Sequence, residues 1–162
     1  MKRIFLVFVP LLFLATACTE DLASLNVETK KPATIPAPTL FSSAVKSLAG
    51  NLATASVNTN VFRFTTSQWA MAVYQDEAQY DFATRAIPNT WWSGMYRDVL
   101  ADLRESSRLI NADATLLPKE KANKLAILDI MEVYTFSILV NTFGNIPYTE
   151  ALNSAKLFPK YD

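Results

Sequence analysis

The chain has 162 residues, of which 51% are apolar, enough for one domain with a sizeable core. Its 15 basic and 15 acidic side chains cancel, so no basic surplus points to nucleic acid. Histidine is absent, which excludes Ser-His-Asp and Cys-His catalysis and leaves a zinc site only carboxylates to draw on; no cofactor is implied.

The N-terminus reads as a secretory signal. Lys2-Arg3 precede an apolar run from Ile4 to Leu14, and small residues Ala15-Thr16-Ala17 follow. The run is well short of the ~20 residues a spanning helix needs. Cys18, the one cysteine, comes next. Two processings are open. Cleavage before Cys18 with lipidation of its sulfur makes a lipoprotein; ordinary cleavage at Ala15-Thr16-Ala17 leaves a free N-terminal thiol. A lone cysteine has no disulfide partner and is a liability in an oxidising compartment, which favours lipidation. Removing residues 1–17 leaves 145 residues with 13 basic and 15 acidic side chains. Residues 18–38 read as a lipidated N-terminus and extended tether: Pro32, Pro36 and Pro38 oppose helix, and Lys30-Lys31 are solvated.

From Thr39, a plausible N-cap, the pattern turns helical. Phe41, Val45, Leu48 and Leu52 recur at three- and four-residue steps, with Gly50 a weak point. Asn58 or Asn60 caps a second predicted helix carrying Phe62, Trp69 and Val73. Residues 74–90 lack helical period and read as a long loop, a frequent setting for function. A third helix is predicted from Asn89 or Thr90 to about Ile110, with the stripe Trp92, Met95, Tyr96, Val99, Leu103 and Ile110. A fourth starts at Pro118, runs to about Thr142 and stops at Gly144. It is apolar on nearly every side, the pattern of a helix inside a larger body. Helices three and four, joined by a short linker, predict an αα-hairpin. The fold class expected is all-α, built of tetratricopeptide-like hairpins with long loops.

Several stretches resemble the SusD/RagB family of outer-membrane nutrient-binding lipoproteins. They are Asp21-Leu22 with Leu25-Asn26, the run Trp92-x-x-x-Tyr96-x-x-Val99-Leu100, and Phe143-Gly144-Asn145-Ile146-Pro147-Tyr148-Thr149-Glu150-Ala151-Leu152. The last is the most specific; the family commonly carries F-G-D-[VIL]-P-Y-x-E-A, and Asn145 replaces its usual Asp. Lys160-Tyr161-Asp162 resembles the family's P-x-Y-D segment. The resemblance implies capture of glycans, or of peptides, for import by a SusC-like TonB-dependent transporter. It implies a lipid anchor in the outer membrane, with Glu20-Asp21 as a minimal signal for the outer face. It implies binding without catalysis. Family members are several hundred residues long, so residues 39–162 are expected to be the N-terminal part of a SusD-like helical domain, with Asp162 the N-cap of a further helix. A tetratricopeptide-like interaction scaffold with no ligand of its own is the alternative.

Sugar binding needs flat apolar faces for C–H-rich ring faces and planar polar groups for hydroxyls. The 74–92 region holds both, and Tyr74, Tyr80, Arg85 and Trp91 are the candidate ligand residues. Trp69 and Trp92 lie on apolar stripes and read as core. Trp91, ~100° round the helix from Trp92, reads as the exposed one. Asp76, Glu77 and Asp81 have no metal or acid/base spacing and read as solvated loop carboxylates. Asp129 and Glu132 share a helix face and are expected to meet Arg97, Arg104 or Arg108.

Overall fold

A computed structural model describes residues 34–59 and 62–162. Cys18, the signal, residues 18–33 of the tether and Asn60 lie outside the described residues.

The first helix, α1 (Ala37–Ala53), begins two residues before the expected Thr39. Pro36 stands at its N-cap and Pro38 inside its first turn, where a missing N–H leaves no intrahelical bond unmade. Leu40, Ala44 and Leu48 form its buried stripe. The predicted second helix is cut to one turn, α2 (Phe62–Thr65). Ser67 takes a left-handed φ of 56°, which ends the helical run. Trp69 and Val73 therefore lie beyond it, 43% and 79% exposed, and the reading of Trp69 as a core residue is corrected.

The central element is one long helical rod in three parts. Helix α3 (Ile87–Ser93) starts earlier than expected, with Pro88 in its first turn. It passes into a π-helical segment (Gly94–Leu100) and then into α4 (Ala101–Ala112). Gly94 allows a close approach to α1: a Cβ there would lie 3.1 Å from the Asn51 amide nitrogen. Helix α1 packs along both the π segment and α4. On α4, the Ser106 hydroxyl donates to the Ala37 carbonyl at 2.9 Å, tying the two helices.

Residues 113–117 turn the chain into α5 (Pro118–Phe143), which packs on α4 and the π segment as the predicted hairpin partner. In the turn, the Asp113 carboxylate accepts the Thr115 N–H at 2.8 Å and its hydroxyl at 2.6 Å. Helix α5 ends where Gly144 adopts φ 77° and its N–H donates to the Val140 carbonyl. Its inward residues are Leu128, Thr135, Phe136 and Leu139. Its other side is open: Ile130 and Val133 are 67% and 64% exposed, with Ile127, Tyr134 and Val140 about half exposed. By length and composition α5 is also apolar enough to cross a membrane.

One core cluster joins these parts, with Ala44 and Leu48 on one side of the rod and Leu128, Phe136 and Leu139 on the other. Met95, Val99, Leu100 and Leu103 fill its centre, each no more than 1% exposed. Residues 144–162 fold back onto the rod without helix. The Tyr96 hydroxyl donates to the Pro147 carbonyl at 2.7 Å. Arg104 donates to the Ala151 carbonyl and pairs with Glu132 at 3.1 Å, the bridge expected between the two helices. Arg97 and Arg108 instead pair within their own helix, with Asp98 and Glu105. The Asp162 carboxylate accepts the N–H groups of Tyr148 at 3.0 Å and Thr149 at 2.7 Å, so in this structure it clamps the Phe143–Leu152 stretch.

Candidate functional site

The candidate site grows out of the loop between α2 and α3. Threonine hydroxyls close α2: Thr65 and Thr66 both donate to the Phe62 carbonyl, at 2.9 and 2.7 Å. The chain then reverses, and the Arg63 guanidinium lies 4.5 Å over the Trp69 ring. A single 3₁₀ turn, Glu77–Gln79, ends at Tyr80 in left-handed conformation with φ 62°. Asp81 then organises the next turn. Its carboxylate accepts the Ala83 and Thr84 N–H groups at 3.0 and 3.1 Å and the Thr84 hydroxyl at 2.6 Å. These bonds, the Thr84 hydroxyl first, hold its carboxyl below the usual value of 3.8. Ala86, with φ 50°, is a third left-handed residue of this loop after Ser67 and Tyr80, at the entry to α3. Each such non-glycine residue costs ~1–2 kcal/mol and persists only where its surroundings enforce it.

The same loop holds a buried ion pair. Glu77 is 2% exposed, so its reading as a solvated carboxylate is corrected. Its Oε2 meets Arg85 Nη1 at 2.9 Å, and its Oε1 is buried with no hydrogen-bond partner among the described residues. Arg85 also donates through Nη2 to the Asn58 side chain and lies 4.4 Å over the Tyr74 ring. Removing one member of such a pair costs about 3–5 kcal/mol, because the other charge stays buried alone.

Beside this pair lies a cleft of about 430 Å³, within the range of small-ligand sites. Tyr80, Phe82, Phe62, Trp91, Phe143 and Thr142 supply most of its wall, and among the described residues every lining side chain is uncharged. Tyr80 is 67% exposed but not loose: its hydroxyl donates to the Thr65 carbonyl at 3.0 Å, and its ring meets Phe82 edge-on. Two of the sequence candidates, Tyr80 and Trp91, thus come together in one cleft. Tyr74 and Arg85 stack against each other in the adjoining loop and are not among its lining residues.

Trp91 takes a different place from the one expected. It is 3% exposed, packed edge-on to Phe62 at 5.7 Å and tilted on Phe143 at 5.8 Å. Its indole N–H is buried without an acceptor among the described residues. Trp91, Met95 and Val99 stand four residues apart, so Trp91 rather than Trp92 continues the inward face. Trp92, expected as core, packs against Tyr96, Phe143 and Tyr161 and is partly buried. Sequence reasoning missed Phe82 and Phe143 as cleft walls. Phe143 carried a signal, since it opens the most specific family-like motif.

No group of three or more potential metal ligands occurs among the described residues. A family model, SusD-like_2, described as starch-binding associating with outer membrane, matches residues 28–162. The chain belongs to this SusD-like family. No curated protein and no solved structure matches it. The all-helical described body agrees with the SusD-like fold class. The family's description is that of a binding protein associated with the outer membrane rather than of an enzyme.

Proposed function

We propose that this SusD-like chain is a cell-surface lipoprotein, anchored through Cys18, that captures a glycan for import by a SusC-like TonB-dependent transporter. The observation that carries the reading is the uncharged aromatic cleft, with exposed Tyr80 and Phe82 on its wall and buried Trp91 behind them. Aromatic faces suit the C–H-rich faces of sugar rings, and an uncharged lining suits a neutral ligand. Among the described residues the lining carries no carboxylate, and we read the cleft as holding its ligand without breaking a bond. The α4–α5 hairpin is read as one unit of a tetratricopeptide-like array. Titration calorimetry with maltohexaose tests the cleft. Binding to the wild type and its loss in Tyr80→Ala are expected; absence of binding to maltohexaose and to other neutral oligosaccharides overturns the reading, and binding of a peptide in their place redirects it. Mass spectrometry of the mature N-terminus tests the anchor, with an acylated Cys18 the expected result.

A second reading, an interaction scaffold with no ligand of its own, draws on the open apolar side of α5 at Ile130 and Val133. Capture of the transporter without any glycan binding would favour it.

A further inference from the structure

We propose that the Glu77–Arg85 pair is a lock that positions the Tyr80–Phe82 wall of the cleft, so that both residues act on ligand affinity without touching the ligand. Its effect on binding rests on the glycan-cleft reading above; its effect on the loop does not.

Four observations converge on it. Glu77 and Arg85 bracket the segment that carries Tyr80 and Phe82, and their side chains meet at 2.9 Å. The same segment contains one left-handed non-glycine residue, Tyr80, and is followed at once by another, Ala86. Such conformations hold only where the surroundings over-determine them. Third, Arg85 is saturated from three directions: the Glu77 carboxylate, the Asn58 side chain and the Tyr74 ring. A guanidinium so engaged, with its side chain 15% exposed, has little left to offer a ligand, whereas its planar fork suits a fixed strut. Fourth, Tyr80 is tied to α2 through its hydroxyl on the Thr65 carbonyl. The lock and this tie hold the segment at two places, one at its base and one at the aromatic ring itself.

The loop is the part of this molecule that needs such a device. It borders the cleft with no long helix of its own, and the 3₁₀ turn at Glu77–Gln79 is its one helical element. Segments with few apolar contacts open locally at far lower cost than the core. A positioned pair within the loop closes that route.

The test uses the full chain and a double variant, Glu77→Gln with Arg85→Met, which leaves no charge stranded. Hydrogen exchange of the amides from 78 to 85 is expected to quicken by at least about tenfold, with α4 and α5 amides unchanged. The maltohexaose dissociation constant is expected to rise by about tenfold or more at nearly constant Tm. Arg85→Lys, which keeps the charge but not the fork, is expected to fall between wild type and double variant, and it carries the test if the double variant does not fold. Unchanged loop exchange overturns the lock whether or not any sugar binds. Quickened exchange with unchanged affinity overturns its positioning role. If the wild type binds no oligosaccharide, the cleft reading and the affinity effect fall together, while exchange still decides the loop lock.

Discussion

Trp91 separates two accounts of the aromatic loop. As an exposed platform, its truncation would cost the fold little and the ligand much. As placed here, 3% exposed between Phe62 and Phe143, it is part of the core first. Replacing a buried Trp by Ala costs about 3–5 kcal/mol through lost transfer energy and the cavity left behind. Each aromatic pair lost adds about 0.5–1.5 kcal/mol. Against this stands the indole N–H, buried without an acceptor among the described residues, whose removal recovers about 1–3 kcal/mol. The balance is a loss of about 4 kcal/mol, a large share of the 5–15 kcal/mol typical of a folded domain. Trp91→Phe keeps a ring against the same neighbours and deletes the orphan donor, so its cost should stay within about 1 kcal/mol. Urea denaturation followed by circular dichroism measures both. A Trp91→Ala loss under about 1 kcal/mol would refute the buried placement. So would a Phe variant as unstable as the Ala variant.

Two further outcomes concern the segment that folds back on the rod. Burial, followed by the neighbouring Tyr161, pushes the Tyr96 phenol up to about 12. The fold favours its neutral form, so its contribution to stability is complete below the ordinary 10.0 and is lost as pH rises through about 12. Spectrophotometric titration of Tyr96→Phe should lack that late ionisation. Asp162 and Glu150 behave in the opposite sense. The backbone N–H groups of Thr149 and Tyr148 hold the Asp162 carboxyl below 3.8, and the Lys160 N–H, then Lys156, hold Glu150 below 4.5. Their clamp is complete above those ordinary values and is lost as pH falls through the lowered ones. Limited proteolysis of residues 153–161 should therefore quicken in acid, and Asp162→Asn should bring that quickening to neutral pH. A cutting rate indifferent to both would remove the clamp.

The helices were largely legible because their signals are local. Pro118 and Gly144 mark the two ends of α5, and the stripe from Met95 to Ile110 marks the rod. Arg104 found Glu132 because facing helices of a hairpin bring charged residues within reach. What the sequence reading missed has particular causes. Trp91, four residues before Met95, continues an inward face that the reading began at Trp92. Ser67 turns left-handed and strands Trp69 outside a helix that was expected to carry it. Glu77 reads as a surface acid until Arg85, eight residues on, is found against it.

The most family-specific stretch shows why a family can be legible while a ligand is not. Phe143 packs on Trp91 and Trp92, Ile146 is 2% exposed within the core, and the Pro147 carbonyl receives the Tyr96 hydroxyl. Asp162 then clamps the N–H groups of Tyr148 and Thr149. Nearly every position of the motif is thus occupied in fastening the end of α5 to the rod. Only Phe143 also reaches the cleft, and there it forms the wall behind the exposed rings. A motif occupied in fastening identifies the scaffold. On the glycan-cleft proposal the rings facing the ligand are Tyr80 and Phe82, on the loop that the Glu77–Arg85 pair is proposed to hold. A change of ligand is then expected to need new side chains at those two positions, with Glu77, Arg85 and the motif left as they are.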